Sequence, residues 1–85
     1  MVVRMGRDES IEAIAAEIRA ERAAQKMTIS ELSAASGVPE PSLNRYLAGK
    51  RDVPASTLID IGRALGVEPG VILDRALRRS QREQH

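Results

Sequence analysis

Glycines and prolines divide this chain into short apolar segments, and this division restricts the folds that it can adopt. Gly37, Gly49 and Gly66 each follow an apolar segment, whereas Pro54 and Pro69 each precede one. Glycine readily adopts the left-handed conformation that ends a helix, and proline is tolerated in the first turn of a helix. No segment shows the alternation of apolar and polar residues that is typical of a strand. The sequence therefore predicts short helices and no sheet.

Apolar residues recur at helical spacing between these breaks, and they place five helices. The predicted helices cover about residues 9–25, 29–36, 40–48, 55–65 and 68–77. The predicted fold is a compact all-α domain of residues 9–77, with a flexible arm of residues 1–8 before it and a polar tail of residues 78–85 after it.

The most specific start signal lies before helix 2. Thr28 is followed three residues later by Glu31, the spacing at which the hydroxyl caps the helix and the carboxylate bonds back to the Thr28 amide. Met27 and Leu32 have the spacing of the apolar pair that accompanies such a cap. Helix 2 is then barely two turns long before Gly37, and helix 3 follows almost at once.

Composition excludes several classes of protein. The chain has 85 residues and no cysteine, so disulfides and thiolate metal sites are impossible. Its longest uninterrupted apolar run is Ala13–Ala16, whereas a membrane-spanning helix needs about 20 such residues. The residues at the start of the chain lack the apolar stretch of a signal peptide. We expect a cytoplasmic protein that does not use a membrane as a partner.

Residues that catalysis commonly needs are also missing. The single histidine is the terminal His85, and no glycine-rich phosphate loop or carboxylate cluster is present in an apolar setting. A chain with so small a core also has little room for a cleft. We therefore expect no enzyme activity, no cofactor, no metal and no small-molecule ligand.

The distribution of charge is more informative than its sum. Thirteen Lys and Arg against twelve Asp and Glu give a formal net charge of only +1. Residues 41–51, however, contain Arg45, Lys50 and Arg51 and no acid. Such a local basic patch favours contact with phosphates.

Two segments of the chain carry a family resemblance. Residues 28–38 (TISELSAASGV) and residues 42–51 (SLNRYLAGKR) resemble the helix-turn-helix of the phage-repressor/Cro (Xre) family. The likeness covers about residues 11–74, in order and without a gap. It implies a five-helix, lambda-repressor-like domain that binds double-stranded operator DNA, usually as a dimer. In this arrangement helix 2 lies across the DNA backbone and helix 3 enters the major groove.

The resemblance places base reading at the start and on the outer face of helix 3. Arg45 can donate two hydrogen bonds to guanine, and Asn44 can bind adenine in a similar way. Glu40 can accept from cytosine, and Pro41 offers an apolar surface to a thymine methyl group. The residues expected to contact the DNA backbone are Arg22, Thr28, Ser42, Lys50 and Arg51.

Three positions depart from the family pattern. The family often has a phosphate-binding Gln where this chain has Ile29, and a Ser or Thr cap where it has Pro39. It also often has Glu in place of Leu47, paired with the Arg that corresponds to Arg22. Because leucine cannot accept hydrogen bonds, we expect Leu47 to pack in the core and Arg22 to face a phosphate or a nearby acid such as Glu21.

Some residues have a structural interpretation beside the functional one. Thr28 is expected to act first as a helix cap, and Tyr46 to lie partly in the core rather than stack on a base. The basic residues near the end of the chain are expected to form a solvated helix face: Arg75, Arg78, Arg79 and Arg82.

Two functions from different classes fit this sequence. The first is a sequence-specific transcriptional regulator, most simply a repressor of the phage immunity, lysogeny or mobile-element type, which occludes a promoter. The second is a protein-interaction module, such as an antitoxin or anti-repressor, that uses the same scaffold to hold another protein. The basic patch favours the first function, whereas exposed apolar surface on helix 5 would favour the second.

Helix 5 is also the expected contact of a weak homodimer. One helix 3 reads only about half of a site, so a two-fold dimer is the simplest route to operator affinity. The apolar residues expected to form the contact are Val71, Ile72, Leu73, Ala76 and Leu77. The alternative is that all five pack on helices 1 and 4.

Overall fold

The computed structural model describes residues 7–83, and this range consists of five α-helices and contains no strand. The helices are α1 (Arg7–Ala24), α2 (Ile29–Ser36), α3 (Glu40–Leu47), α4 (Ala55–Leu65) and α5 (Pro69–Glu83). The all-α fold is confirmed, and so are the predicted bounds of α2 and α4. The predicted arm, residues 1–8, lies outside the described residues except for Arg7 and Asp8, which belong to α1.

Local capping explains where α2 begins and ends. Thr28 Oγ1 accepts a hydrogen bond from the Glu31 amide at 3.0 Å, and the Thr28 amide donates to Glu31 Oε1 at 2.8 Å. The predicted capping box is therefore confirmed. Gly37 ends the helix with φ = 77°, a left-handed conformation that is unfavourable for residues with a Cβ atom.

The start of α3 lacks a side-chain cap. Pro39 precedes the helix and makes no capping hydrogen bond, in agreement with the loss of the usual Ser or Thr. Pro41 lies in the first turn, where its missing amide proton would have had no partner within the helix. The prolines restrict the backbone at the start of α3 without removing a hydrogen bond that the helix needs.

All five helices contribute side chains to the core, and these are aliphatic except for Tyr46. Ile18 of α1, Leu32 of α2, Leu43 of α3 and Ile61 of α4 are the largest fully buried side chains. Ile72 joins the same cluster from α5. Because each of the first four helices places one such residue at the centre, the orientation of every helix depends on the others.

The most extensive helix pair is formed by α1 and α5, the first and last helices of the domain. Ala13 and Ala76 are both buried, and they line the same groove between these two helices. Small side chains at this position let the helix backbones approach closely.

α5 is longer than the sequence predicts. The predicted helix ends at residue 77, but α5 continues to Glu83. Within this extension, Arg79 Nη2 lies 2.9 Å from Glu17 Oε1 of α1. The Glu17 side chain in this ion pair is only 11% exposed to solvent. The expectation of a purely solvated arginine face is therefore wrong for Arg79. Its partner lies 62 residues away in sequence, so local periodicity does not reveal the pair.

We expect the stability of the domain to depend on the charge of Glu31. The hydrogen bond from the Thr28 backbone amide, together with the smaller effect of the Thr28 side chain, lowers the pKa of Glu31 below its ordinary value of 4.5. The folded state therefore favours the charged form. This stabilisation is fully present above the ordinary pKa and is lost as the pH falls through the lower pKa of the folded protein.

Glu31→Gln should accordingly flatten the fall in melting temperature between about pH 5 and pH 3, as measured by circular dichroism. Glu68→Gln, which removes an exposed acid outside the capping box, is the matched control and should follow the unmodified protein. Parallel pH profiles for Glu31→Gln and the unmodified protein would contradict this interpretation of the cap.

Candidate nucleic-acid interface

A short turn joins α2 to α3, and three hydrogen bonds hold it. The Gly37 amide donates to the Ser33 carbonyl at 2.9 Å, and the Ser33 hydroxyl donates to the Val38 carbonyl at 2.6 Å. The Val38 amide in turn donates to the Ser36 hydroxyl at 3.2 Å. Val38 itself is buried in the core cluster. The turn therefore has a defined shape, which fixes the direction in which α3 leaves it.

α3 has one buried face and one exposed face. Leu43, Tyr46 and Leu47 are buried in the core, which confirms Tyr46 as a core residue. Ser42 is half-buried. The four predicted base-reading residues are all exposed: Glu40, Pro41, Asn44 and Arg45.

The exposed polar groups of α3 are available to a ligand. Within residues 7–83, the side chains of Glu40, Asn44 and Arg45 form no hydrogen bond or ion pair with another residue. An unused carboxamide offers a donor and an acceptor side by side, and an unused guanidinium offers a fork of donors. This combination suits planar partners that present paired hydrogen-bonding groups, such as the edges of nucleic-acid bases.

The loop after α3 carries two exposed cations, Lys50 and Arg51. The Arg51 guanidinium carbon lies 5.9 Å from the centroid of the Tyr46 ring, within the range of a cation–π contact. Since Tyr46 is fixed in the core, this contact gives Arg51 a preferred position beside α3. The loop therefore presents positive charge at the end of the helix whose outer face is polar.

The start of α2 offers neutral donors at a second position. Thr28 is exposed, and its hydroxyl is used in the cap of α2, where it accepts from the Glu31 amide. The first amides of a helix have no partners within it, and the helix dipole makes this end attractive to anions. The unpartnered amides at the start of α2 therefore offer a place where a phosphate oxygen could bind beside the Thr28 cap.

Arg22 forms no ion pair within residues 7–83, in agreement with the loss of the family's Glu at the position of Leu47, and it binds a backbone carbonyl instead. Its Nη1 donates to the Met27 carbonyl at 2.8 Å, and its Nε is buried without a hydrogen-bond partner. Leu47 is buried in the core, as predicted. The expectation that Arg22 faces Glu21 is wrong, because the chain turns back after α1 and brings a backbone carbonyl within reach of the guanidinium. Contact between Arg22 and a DNA phosphate stays a prediction.

Within residues 7–83, no group of three His, Cys, Asp or Glu side chains is arranged to hold a metal ion. None of the described helices has both the length and the apolar character that crossing a bilayer requires.

A helix-turn-helix with a buried inner face and a polar outer face is the arrangement found in one class of DNA-binding regulators. Residues 18–72 match the model of the family described as Helix-turn-helix (HTH_3). The chain belongs to this family, and the resemblance of the sequence to Xre-type regulators is confirmed.

Solved structures of similar fold support the same class. A structure of the clp gene regulator ClgR from C. glutamicum has 30% sequence identity and a TM-score of 0.77, and the match covers 82% of this chain and 91% of that chain. A second ClgR structure, from Corynebacterium glutamicum, has 28% identity and a TM-score of 0.83, covering 88% and 80% respectively. No curated protein sequence matches this chain. The family and fold are those of DNA-binding transcriptional regulators.

The two kinds of exposed residue in and after α3 predict two different mutant phenotypes. Arg45→Ala and Asn44→Ala should each cost about 1–3 kcal/mol at one base position and relax the sequence preference there. Lys50→Ala and Arg51→Ala should weaken binding to all sequences alike, because phosphate contacts carry no sequence information.

Binding-site selection with each variant, followed by titrations at several salt concentrations, separates these phenotypes. The slope of log affinity against log salt should become shallower for Lys50→Ala but not for Asn44→Ala. If Arg45→Ala selects the same motif with the same preference as the unmodified protein, α3 does not read bases through Arg45.

Proposed function

We propose that this protein is a sequence-specific repressor that reads operator DNA in the major groove with the exposed face of α3. One observation carries the proposal: the core holds one face of α3, while Glu40, Asn44 and Arg45 on the other face are exposed and have no partner among residues 7–83. Side chains suit direct readout of nucleic-acid bases when the helix backbone that carries them is held in place and their polar groups have no hydrogen-bond partner in the protein.

Each exposed residue of α3 has a base edge that matches its chemistry. Arg45 would donate to O6 and N7 of guanine, and Asn44 would bind N6 and N7 of adenine. Glu40 would accept from N4 of cytosine, and Pro41 would contact a thymine methyl group. The operator half-site should therefore contain guanine and adenine where α3 is deepest in the groove.

Contacts with the sugar-phosphate backbone would fix the register of α3. Lys50 and Arg51 would neutralise phosphates on one side of α3, and the free amides at the starts of α2 and α4 would donate to phosphate oxygens. Thr28 and Ser42 would add hydroxyl donors. Arg22 could contribute only through the part of its guanidinium that does not bind the Met27 carbonyl.

Repression is the simplest regulation that such a domain can perform. Occupying an operator that overlaps a promoter blocks transcription without any contact beyond the DNA. A regulator of phage immunity, lysogeny or a mobile element would work in this way. The similar ClgR structures are described as those of a clp gene regulator, so other target genes are equally compatible with the fold.

The test of the proposed function is operator selection from random duplex DNA, followed by gel shifts with the selected sequence and with scrambled competitor. Roughly 4–8 phosphate contacts per dimer would give a log–log salt slope of about −4 to −7. The selected duplex should bind much more tightly than the scrambled duplex at every salt concentration. Equal affinity for both would reject sequence-specific recognition.

We further propose that the protein acts as a two-fold dimer through α5. Ile72 and Ala76 are buried within the domain, but Val71, Leu73 and Leu77 are 39%, 45% and 47% exposed. The apolar face of α5 is therefore larger than its own domain covers. A two-fold dimer would place two α3 helices about 34 Å apart, one turn of DNA, and would require a near-palindromic operator.

The same apolar surface favours the alternative function, a module that binds another protein. An antitoxin or anti-repressor would use Leu73 and Leu77, with the groove of about 200 Å³ between α1 and α5, to hold its partner. The gel shifts separate the two functions, because a module of this kind would show only weak binding that is independent of sequence and strongly dependent on salt.

Leu77→Glu tests the dimer directly, because the substitution places a charge in the exposed apolar surface. We expect it to weaken cooperative binding to a palindromic operator while the melting temperature changes little, as measured by gel shift and circular dichroism. Ile59→Glu is the matched control, since Ile59 is similarly exposed (44%) but lies on α4. Undiminished affinity and cooperativity in a folded Leu77→Glu variant would exclude α5 as the dimer contact.

A further inference from the structure

The C-terminal end of α3 is closed by hydrogen bonds of two kinds. Its last carbonyls are mostly satisfied by the backbone: Asn44 accepts from Ala48 at 3.0 Å, Arg45 from Lys50 at 3.0 Å and Tyr46 from Gly49 at 3.1 Å. The bonds to Arg45 and Tyr46 form the pattern that commonly ends a helix at a left-handed glycine, and Gly49 has φ = 71°.

The Leu47 carbonyl is satisfied from another helix. Arg19 of α1 donates to it from Nη1 at 2.6 Å. The same guanidinium uses its other terminal nitrogen, Nη2, to bind Glu12 Oε1 at 2.7 Å. A positive charge beside the last carbonyls of a helix also opposes the negative end of its dipole.

Glu12 contributes to the same contact from one side. Glu12 and Arg19 are seven residues apart, which places them on the same face of α1 two turns apart. A Cβ atom at position 49 would meet the carboxylate end of the Glu12 side chain, which can move aside, so glycine is favoured there by its positive φ. Glu12, Arg19, Leu47 and Gly49 therefore form one closely fitted contact between α1 and the end of α3, which we call the α1–α3 clasp.

We propose that Arg19 is a positioning residue for DNA recognition, which acts by holding the last turn of α3 and the loop that carries Lys50 and Arg51 against α1. The inference rests on the proposed role of α3 in reading DNA. An isolated helix of eight residues is unstable in water, so each end of α3 depends on contacts with the rest of the domain.

The α1–α3 clasp holds the end of α3 and the loop after it, which lie beyond the last core residue of the helix. Leu47 is the last core residue of α3, and Lys50 and Arg51 beyond it are exposed. Fraying of the last turn would release the bond between the Arg45 carbonyl and the Lys50 amide, and would move both a base-reading residue and a phosphate-binding residue. Arg19 thus holds Arg45 and Lys50 in position from the opposite side of α3, without a contact to the DNA.

The geometry also argues against Arg19 as a direct phosphate contact. Each of its terminal nitrogens donates one hydrogen bond within the domain, one to a backbone carbonyl and the other to a carboxylate, and these bonds hold the guanidinium against α1 and the end of α3. The Glu12 carboxylate offsets the charge that would attract a phosphate. A positioning role and a phosphate-binding role predict different results, which makes them separable.

The first measurement uses the protein without DNA. In Arg19→Ala, the amides of Ala48, Gly49 and Lys50 should exchange with solvent about tenfold faster by NMR, since a hydrogen bond from a charged group to the end of α3 is lost. Arg19→Lys should restore part of the protection, because an ammonium group can still donate to the Leu47 carbonyl. Unchanged exchange of these three amides in Arg19→Ala would overturn the inference, whatever the DNA experiments show.

The second measurement uses the selected operator. Arg19→Ala should lower the affinity for the operator about five- to tenfold, lower the affinity for scrambled DNA much less, and leave the salt slope unchanged. Arg63→Ala, which removes an exposed cation from α4, is the control with the same change of charge. An equal loss on both duplexes with a shallower salt slope would instead show that Arg19 contacts a phosphate.

The two measurements distinguish this inference from the proposed function. If the unmodified protein selects no operator, the proposed function fails, but amide exchange still decides whether Arg19 holds the end of α3. If Arg19→Ala speeds exchange and leaves operator affinity unchanged, the clasp has only a structural role and the positioning inference is wrong.

Discussion

The burial of one face of α3 is the interaction on which the rest of this molecule depends. Leu43, Tyr46 and Leu47 anchor a helix of two turns to a core that is shared with Ile18 and Leu32. An α-helix that buries one stripe necessarily exposes the opposite one. The same packing that stabilises α3 therefore decides which of its side chains can meet a ligand, and the turn held by the serines of α2 sets the direction in which they point.

Charge in this domain is arranged so that a nearly neutral chain still has a basic surface. Acids of α1 are used within the domain: Glu17 pairs with Arg79, and Glu21 pairs with Arg75 at 3.5 Å. These pairs join α1 to α5, the helix pair that closes the domain. Arg45, Lys50 and Arg51 form no ion pair within the described residues, so their charge remains available to phosphates. The net charge of +1 therefore does not indicate that acids of α1 are paired while cations of α3 and its loop are not.

Features that depend on neighbouring residues were predictable from the sequence, whereas features that depend on distant contacts were not. The capping box at Thr28 and the left-handed Gly37 fixed the bounds of α2, because a cap involves residues only a few positions apart. The extension of α5 includes Arg79, whose partner Glu17 lies on α1, and the orientation of Arg22 depends on the path of the chain after α1. The exposed face of α3 was predicted because its pattern of burial is local, but the bond from Arg19 to the Leu47 carbonyl needed the three-dimensional structure.

We propose that the exposed face of α3 recognises bases while its buried face stays in the core. The most direct test is an NMR titration of ¹⁵N-labelled protein with the selected operator and with a duplex that differs only at the predicted guanine and adenine positions. We predict that amide and side-chain signals of residues 40–51 shift with the operator and that the shifts at Asn44 and Arg45 change when those bases are altered. Shifts confined to α5, or shifts in α3 that are identical for the two duplexes, would contradict it.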